Sequence, residues 1–156
     1  MDIDGALFAT NMFNIPVEIL KYPAGKVGHC SLPETVNIIG AACFEEAYYL
    51  PSISFPITRD MTIGKRAFKD CVSLTAVNIP HQSAIVNTQA FVGCTSLRAV
   101  SIPLGSEVSS NAFTGCDNLR RIYVNAPAGT IVGSPWGSSA SVYWGVETDS
   151  EGIVYS

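Results

Sequence analysis

The chain has 156 residues, of which 47% are hydrophobic and 14% are charged, so it holds enough apolar material for one globular domain with a sizeable core. Its net charge of −4 and pI near 5.0 argue against nucleic-acid binding, because proteins that bind a phosphate backbone carry an excess of Lys and Arg on the binding surface. No apolar run approaches the roughly 20 residues that span a membrane, and MDIDGALFAT lacks the basic and hydrophobic regions of a signal peptide. We therefore expect no membrane insertion in this segment.

The first predicted element is a hairpin within residues 1–29. Two apolar runs flank a polar turn in DGALFATNMFNIPVEILKYPAGK, a pattern typical of paired antiparallel strands. A finite stack of coils needs its exposed apolar end covered. We therefore expect this hairpin to cap the coil that follows it.

A cassette recurs four times within residues 30–125. Phe44, Phe68, Phe91 and Phe113 occupy equivalent positions, in steps of 24, 23 and 22 residues. A Leu follows each Phe after six residues, and apolar residues follow after nine and eleven, which is the period-two alternation of a strand. Near-constant steps of this length predict a solenoid whose coils bury one another's side chains.

Each coil is predicted to contribute one short strand to a parallel sheet. The segment around each Phe lacks alternation, and its Gly, Ala, Lys, Asp and Asn content favours a helical or 3₁₀ turn with the Phe on its inner face. Pro56, Pro80 and Pro103 are expected to end the strands and to begin the corners. The predicted fold class is an α/β repeat solenoid, with a parallel sheet along one face and short helical turns along the other.

Three of the five cysteines share the phase of the repeat. Cys71, Cys94 and Cys116 each follow a cassette Phe by three residues. A position locked to the repeat points inward, and Cys is among the most buried residue types. We interpret these residues as free, buried thiols.

The cassette breaks down after its fourth copy. Residues 126–146 are rich in Gly, Pro and Ser and then supply Trp136, Tyr143 and Trp144, which we interpret as an aromatic cap over the last coil. The same three side chains would suit a sugar-binding site if they were exposed, and this alternative stays open. Residues 147–156 carry three carboxylates without Lys or Arg and are expected to form a solvated acidic tail.

The motif IGxxAFxxCxxLxxVxIP, present as IGKRAFKDCVSLTAVNIP and as VNTQAFVGCTSLRAVSIP, resembles the repeat of BspA-like leucine-rich repeat proteins. DGALF followed by LKYPAGK resembles the hairpin that leads into such repeats, and SPWGSS followed by VYWG resembles a terminal capping segment. The resemblance implies a leucine-rich-repeat fold in a bacterial cell-surface or secreted module, one part of a longer chain, that adheres to host proteins, other cells or matrix. It implies no catalytic residues.

The residues themselves supply no catalytic, metal-binding or cofactor motif. His29 and His81 are the only histidines, and neither stands at a metal-type spacing with Cys or carboxylates. Gly64 and Lys65 lack the flanking residues of a phosphate-binding loop. We therefore predict no enzyme activity and no cofactor.

The register of the predicted strands leaves a small, mostly neutral strip facing outward, and the fourth coil adds Arg and Tyr to it. Arg and Tyr are favoured in interface hot spots because each combines a large contact area with a directional polar group. The candidate binding residues are Arg98, Arg120, Arg121, Tyr123, Asn78 and Ser101. We predict a non-catalytic module that binds a partner protein through this sheet face. The alternatives are glycan binding through the C-terminal aromatic residues and a structural spacer without a ligand.

Overall fold

A computed structural model gives the structure of residues 2–57, 60–79, 83–148 and 154–155. All regular secondary structure in these residues is β-strand. The strands are β1 (Asp2–Ile3), β2 (Ala6–Thr10), β3 (Pro16–Lys21), β4 (Cys30–Ser31), β5 (Ile38–Ile39), β6 (Ile53–Ser54), β7 (Met61–Ile63), β8 (Ala76–Asn78), β9 (Ala84–Val86), β10 (Ala99–Ile102), β11 (Glu107–Val108), β12 (Arg121–Val124), β13 (Ser141–Trp144), β14 (Glu147–Thr148) and β15 (Val154–Tyr155).

Three sequence predictions fall wholly or partly on residues outside these ranges. Pro80 and His81 lie outside the described residues, so the strand end and the histidine are not tested. Most of the predicted acidic tail lies outside them as well. Its described parts, β14 and β15, pair as antiparallel strands.

The predicted parallel sheet is present, and it extends further than the cassettes do. Strands β8, β10, β12 and β13 form a four-stranded parallel sheet in the order β13-β12-β10-β8. Val77, Val100 and Ile122 lie side by side on its inner face and are buried. The strand of the first cassette, β6, pairs with β4 in a separate two-stranded sheet.

A second sheet occupies the segments that the sequence predicted to be corners. Strands β5, β7, β9 and β11 pair in parallel, and the hairpin strands β1, β2 and β3 extend them to seven strands, in the order β1-β2-β3-β5-β7-β9-β11. Ile39, Ile63 and Val86 point inward from these strands and are at most 1% exposed. Each coil is therefore closed by strands on two sides, and the hairpin continues the second sheet instead of only covering the first coil.

The predicted helical or 3₁₀ turns are wrong for the described residues, which contain turns but no helix. Successive N–H groups around Phe44 alternate between two directions: Cys43 donates to Gly40 O within its own coil, whereas Phe44 donates to Ala67 O in the next coil. The second coil repeats this alternation around Phe68. A helix requires every N–H to donate along its own segment, so bonding between coils prevents one. The fold is a β-solenoid.

The core is a stack of aromatic rings flanked by a ladder of thiols. Ring centroids along the stack are 4.7, 4.8, 4.9 and 5.4 Å apart. The stacked residues, in order, are Tyr22, Phe44, Phe68, Phe91 and Phe113.

The thiol ladder runs beside these rings in the same phase. The Cys71 Sγ donates to Phe44 O at 3.1 Å, and Cys94 and Cys116 repeat the contact one and two coils further on. All five cysteines are free and buried, which confirms the interpretation from their spacing.

Trp136 closes the C-terminal end of the core. Its side chain is fully buried, and its indole N–H donates to Val132 O at 2.8 Å. Its own carbonyl accepts the N–H of Phe113, the role that Ala67 O plays for Phe44. The Trp136 ring therefore supplies the apolar layer that another coil would provide.

Candidate binding surface

The outward face of the four-stranded sheet presents two rows of aligned side chains. Pairing across the strands defines each row, because directly paired residues point to the same side. The first row is Ala76, Ala99, Arg121 and Ser141. The second row is Asn78, Ser101, Tyr123 and Tyr143.

One half of this face is a shallow depression over small side chains. The depression has a volume of about 90 Å³, and its lining includes Ala76, Ala99 and Tyr123. The Ser101 hydroxyl donates to the Asn78 side-chain oxygen, which fixes both polar groups beside it. The depression can accept an apolar side chain of a partner with polar groups within reach.

The other half of the face is aromatic and basic. The Tyr123 and Tyr143 rings lie 5.5 Å apart at 32°, and Tyr143 is 45% exposed. A hydrogen bond with the Tyr123 side chain, together with the nearby charges that Tyr123 and Tyr143 carry when ionised, raises the pKa of the exposed Arg121. The guanidinium is thus held beside two phenol rings, an arrangement suited to acidic and aromatic groups of a partner.

Arg98 and Arg120 lie at the edge where the strands of this face begin. The Arg120 N–H donates to Arg98 O, which places the two residues in adjacent coils. The Arg120 side chain donates to Asp117 O at 2.9 Å. Among the described residues, Arg98, Arg120 and Arg121 form no ion pair with a carboxylate. Their charges therefore remain available to a partner.

The structure brings most of the predicted binding residues together. Asn78, Arg121 and Tyr123 share the outward face, with Arg98 and Arg120 at its edge. Ser101 belongs to the same row but is only 5% exposed, so the prediction that it offers a binding group at the surface is wrong. Sequence reasoning missed that Tyr143 extends this face through β13. The signal was available, because SVYW repeats the alternation of RIYV twenty residues earlier.

The three aromatic residues of the glycan alternative do not form one exposed platform. Trp136 is fully buried, and its ring lies 6.3 Å from that of the half-buried Trp144. Only Tyr143 of the three is exposed. Trp136 cannot stack on a sugar because the last coil needs its ring as a cover.

The described residues hold no group of three His, Cys, Asp or Glu side chains that could bind a metal ion. His29 instead bridges two serines, with Nδ1 at 2.7 Å from Ser52 Oγ and Nε2 at 2.9 Å from Ser54 Oγ. In the same part of the chain, no helix has the length and apolar character needed to cross a membrane.

Comparison with known proteins identifies the repeat. A family model described as a BspA type leucine rich repeat region matches residues 15–135 in six copies, two more than the four cassettes. Among solved structures, a leucine rich cell surface protein from Faecalibacterium prausnitzii A2-165 has a similar fold, with a TM-score of 0.68 at 22% identity. The similarity covers 91% of this chain and 38% of that protein. No curated protein matches the sequence. The chain belongs to the BspA-type leucine-rich repeat family.

Proposed function

We propose that this chain is a non-catalytic binding module of a cell-surface or secreted protein, and that it binds a partner protein through the outward face of the four-stranded sheet. Its family and fold fit a binding or structural repeat module, and the similar solved structure is that of a cell surface protein. The observation that carries the proposal is the group formed by Arg98, Arg120 and Arg121 beside Tyr123 and Tyr143.

The charge of this group differs from that of the chain as a whole. The net charge is −4, yet three arginines lie close together at this end of the sheet with no ion-pair partner among the described residues. On the turn face, by contrast, Lys69 lies 2.9 Å from Glu45 and 3.8 Å from Asp70. Charge complementarity therefore favours an acidic partner at the arginines.

The chemistry of the face also indicates how the partner is held. Arg and Tyr are among the residue types that most often dominate interface energetics. The adjacent depression over Ala76 and Ala99 accommodates a small apolar anchor. We expect the partner to present carboxylates with an apolar or aromatic side chain between them.

Two double variants with equal charge changes test the proposal. Arg120→Ser/Arg121→Ser alters the face, while Lys21→Ser/Lys65→Ser removes two exposed cations elsewhere. Beads coated with each variant are measured for adhesion to immobilised matrix proteins and cultured cells over a range of salt concentrations. We expect the arginine variant to lose at least about tenfold in binding and the lysine variant to bind like the wild type.

The same assay separates binding from a purely structural role. If wild-type beads adhere no better than uncoated beads, the module behaves as a spacer and the proposal fails. Equal loss in both double variants would show that general charge, and not this face, mediates adhesion.

A further inference from the structure

A second cavity lies at the opposite end of the solenoid, between the N-terminal hairpin and β4. Its volume is about 270 Å³. Its lining includes Phe8, Ile19, Leu32, Tyr22, Lys26 and Cys30. Asp4 and His29 line it as well.

Tyr22 holds the first position in the aromatic stack. Its N–H donates to Cys43 O at 3.0 Å, as that of Phe44 does to Ala67 O, and its ring stacks on Phe44 at 4.7 Å. The residue thus occupies the place of a cassette Phe but carries a hydroxyl group. The four coils that follow use Phe at this place, which needs no hydrogen-bond partner.

The hydroxyl of Tyr22 is buried without a partner among the described residues, while the side chain as a whole is 2% exposed. Burial raises the pKa of Tyr22, and the charges of Cys30 and Asp4 raise it further. The group is therefore a protonated donor at neutral pH. A buried donor of this kind is costly unless something in the cavity accepts a hydrogen bond from it.

Lys26 provides the charge that defines the ligand. Its ammonium lies 5.7 Å from the centroid of the Tyr22 ring and lines the same cavity. It donates to Asp4 O at 3.0 Å and lies 3.6 Å from the Asp4 carboxylate. The Asp4 side chain is 86% exposed, so solvent screens this pairing and leaves the ammonium able to attract an anion.

We propose that this cavity binds a small carboxylic acid as its carboxylate, with one carboxylate oxygen accepting a hydrogen bond from the Tyr22 hydroxyl and the Lys26 ammonium balancing the charge. The walls formed by Phe8, Ile19 and Leu32 would contact its apolar body. The volume lies just below the about 300 Å³ at which pockets for drug-sized ligands begin, which restricts the ligand to a few carbon atoms or one ring.

Amide NMR spectra of the full chain, titrated with acetate, propionate and benzoate, test the assignment. Acetamide, propionamide and benzamide serve as neutral ligands of matched size. We expect saturable shifts around Tyr22, Lys26 and Cys30 with the carboxylates, and at least about tenfold weaker binding of each amide. Affinity should rise from acetate to the larger acids as the apolar walls are filled.

Four variants connect the binding to named groups. Tyr22→Phe keeps the stacked ring and Lys26→Met keeps the length of the stem, and each should weaken carboxylate binding about tenfold or more. Asp4→Asn should strengthen it, because a competing negative charge is removed. Tyr49→Phe makes the same chemical change at an exposed tyrosine outside the cavity and should have no effect.

Several results would overturn the assignment. They are the absence of saturable shifts up to tens of millimolar ligand, equal binding of amides and carboxylates, or unchanged affinity in both Tyr22→Phe and Lys26→Met. The two proposals fail separately, since the arginine variants of the sheet face lie outside this cavity.

Discussion

Replacement of Phe91 by Ala removes an interior ring of the aromatic stack. Phe91 is fully buried, and its ring lies between those of Phe68 at 4.9 Å and Phe113 at 5.4 Å. Two stacking contacts are lost at once. The change also leaves a cavity that is shared by three coils.

The expected destabilisation follows from this geometry. Truncation of a buried Phe to Ala costs about 3–5 kcal/mol, of which each aromatic contact supplies about 0.5–1.5 kcal/mol. The coils cannot close the gap, because hydrogen bonds from Phe68 N to Ala90 O at 2.7 Å and from Phe91 N to Ala112 O at 2.9 Å fix their spacing. We therefore expect a loss in the upper half of that range, about 4–5 kcal/mol.

Urea denaturation measures this loss. With a slope of about 2 kcal/mol per molar urea, the midpoint of unfolding should fall by roughly 2 M. Phe13→Ala is the matched control, because Phe13 is 75% exposed in the hairpin turn, and its effect should stay within about 0.5 kcal/mol. If Phe91→Ala cost less than about 2 kcal/mol, the rings would not hold the coils together as described.

Three further predictions concern titration, reactivity and fluorescence. The hydrogen bond from Lys69 lowers the pKa of Glu45, so the pair stabilises the fold above the ordinary carboxyl pKa, and this stabilisation is lost as pH falls through the lowered value. Glu45→Gln should therefore lower the free energy of unfolding by under about 1 kcal/mol at neutral pH and leave it unchanged in acid. A pH-independent difference between the two proteins in urea titrations would contradict this. Burial raises the pKa of Cys43 to about 12, so iodoacetamide should label this thiol only after denaturation, and rapid labelling of the folded chain would refute the burial. In a Trp144→Phe variant, the fluorescence of the remaining Trp136 should have its maximum at short wavelength and should resist quenching by acrylamide. Efficient quenching would show that Trp136 is exposed to solvent.

The stack and the four-stranded sheet could be predicted because their signals repeat within each cassette. The steps between phenylalanines fixed the phase, and the alternation at Val77, Val100 and Ile122 identified the inward side of the sheet. The part of the second sheet that lies within the coils was missed because its strands β5, β7, β9 and β11 are only two or three residues long. Met61 and Ile63 alternate around Thr62, but three residues beside a proline corner do not distinguish a strand from a turn.

The helical turns were predicted wrongly because the decisive hydrogen bonds join different coils. Composition around Phe44 or Phe68 describes only local preference, and that preference was compatible with a helix. The N–H groups there that bond between coils find their acceptors 22 or 23 residues away, beyond any local window. Tertiary bonding therefore overrides the local signal.

The candidate surface was predictable where it follows the repeat and missed where it departs from it. Arg121 and Tyr123 stand at outward positions of a cassette strand, so their direction followed from the register. Tyr143 lies in a segment without the cassette Phe, so its pairing with Tyr123 was missed although SVYW repeats the alternation of RIYV. Tyr22 was missed as a stack member, although a step of 22 residues back from Phe44 reaches it.

The two proposed sites follow from the same constraint. An inward position in a central coil is covered on both sides, so a polar group placed there can pair only with the protein itself, as the ladder thiols do with backbone carbonyls. This restriction does not hold at outward positions or in the two end coils. Arg121 and Tyr123 stand at outward positions. Tyr22, covered by Phe44 on one side and next to the N-terminal cavity on the other, belongs to an end coil. If both sites bind as proposed, the ligand-binding groups of this repeat lie on the outward face of the sheet and at the N-terminal end, because the centre of the core has no room for them.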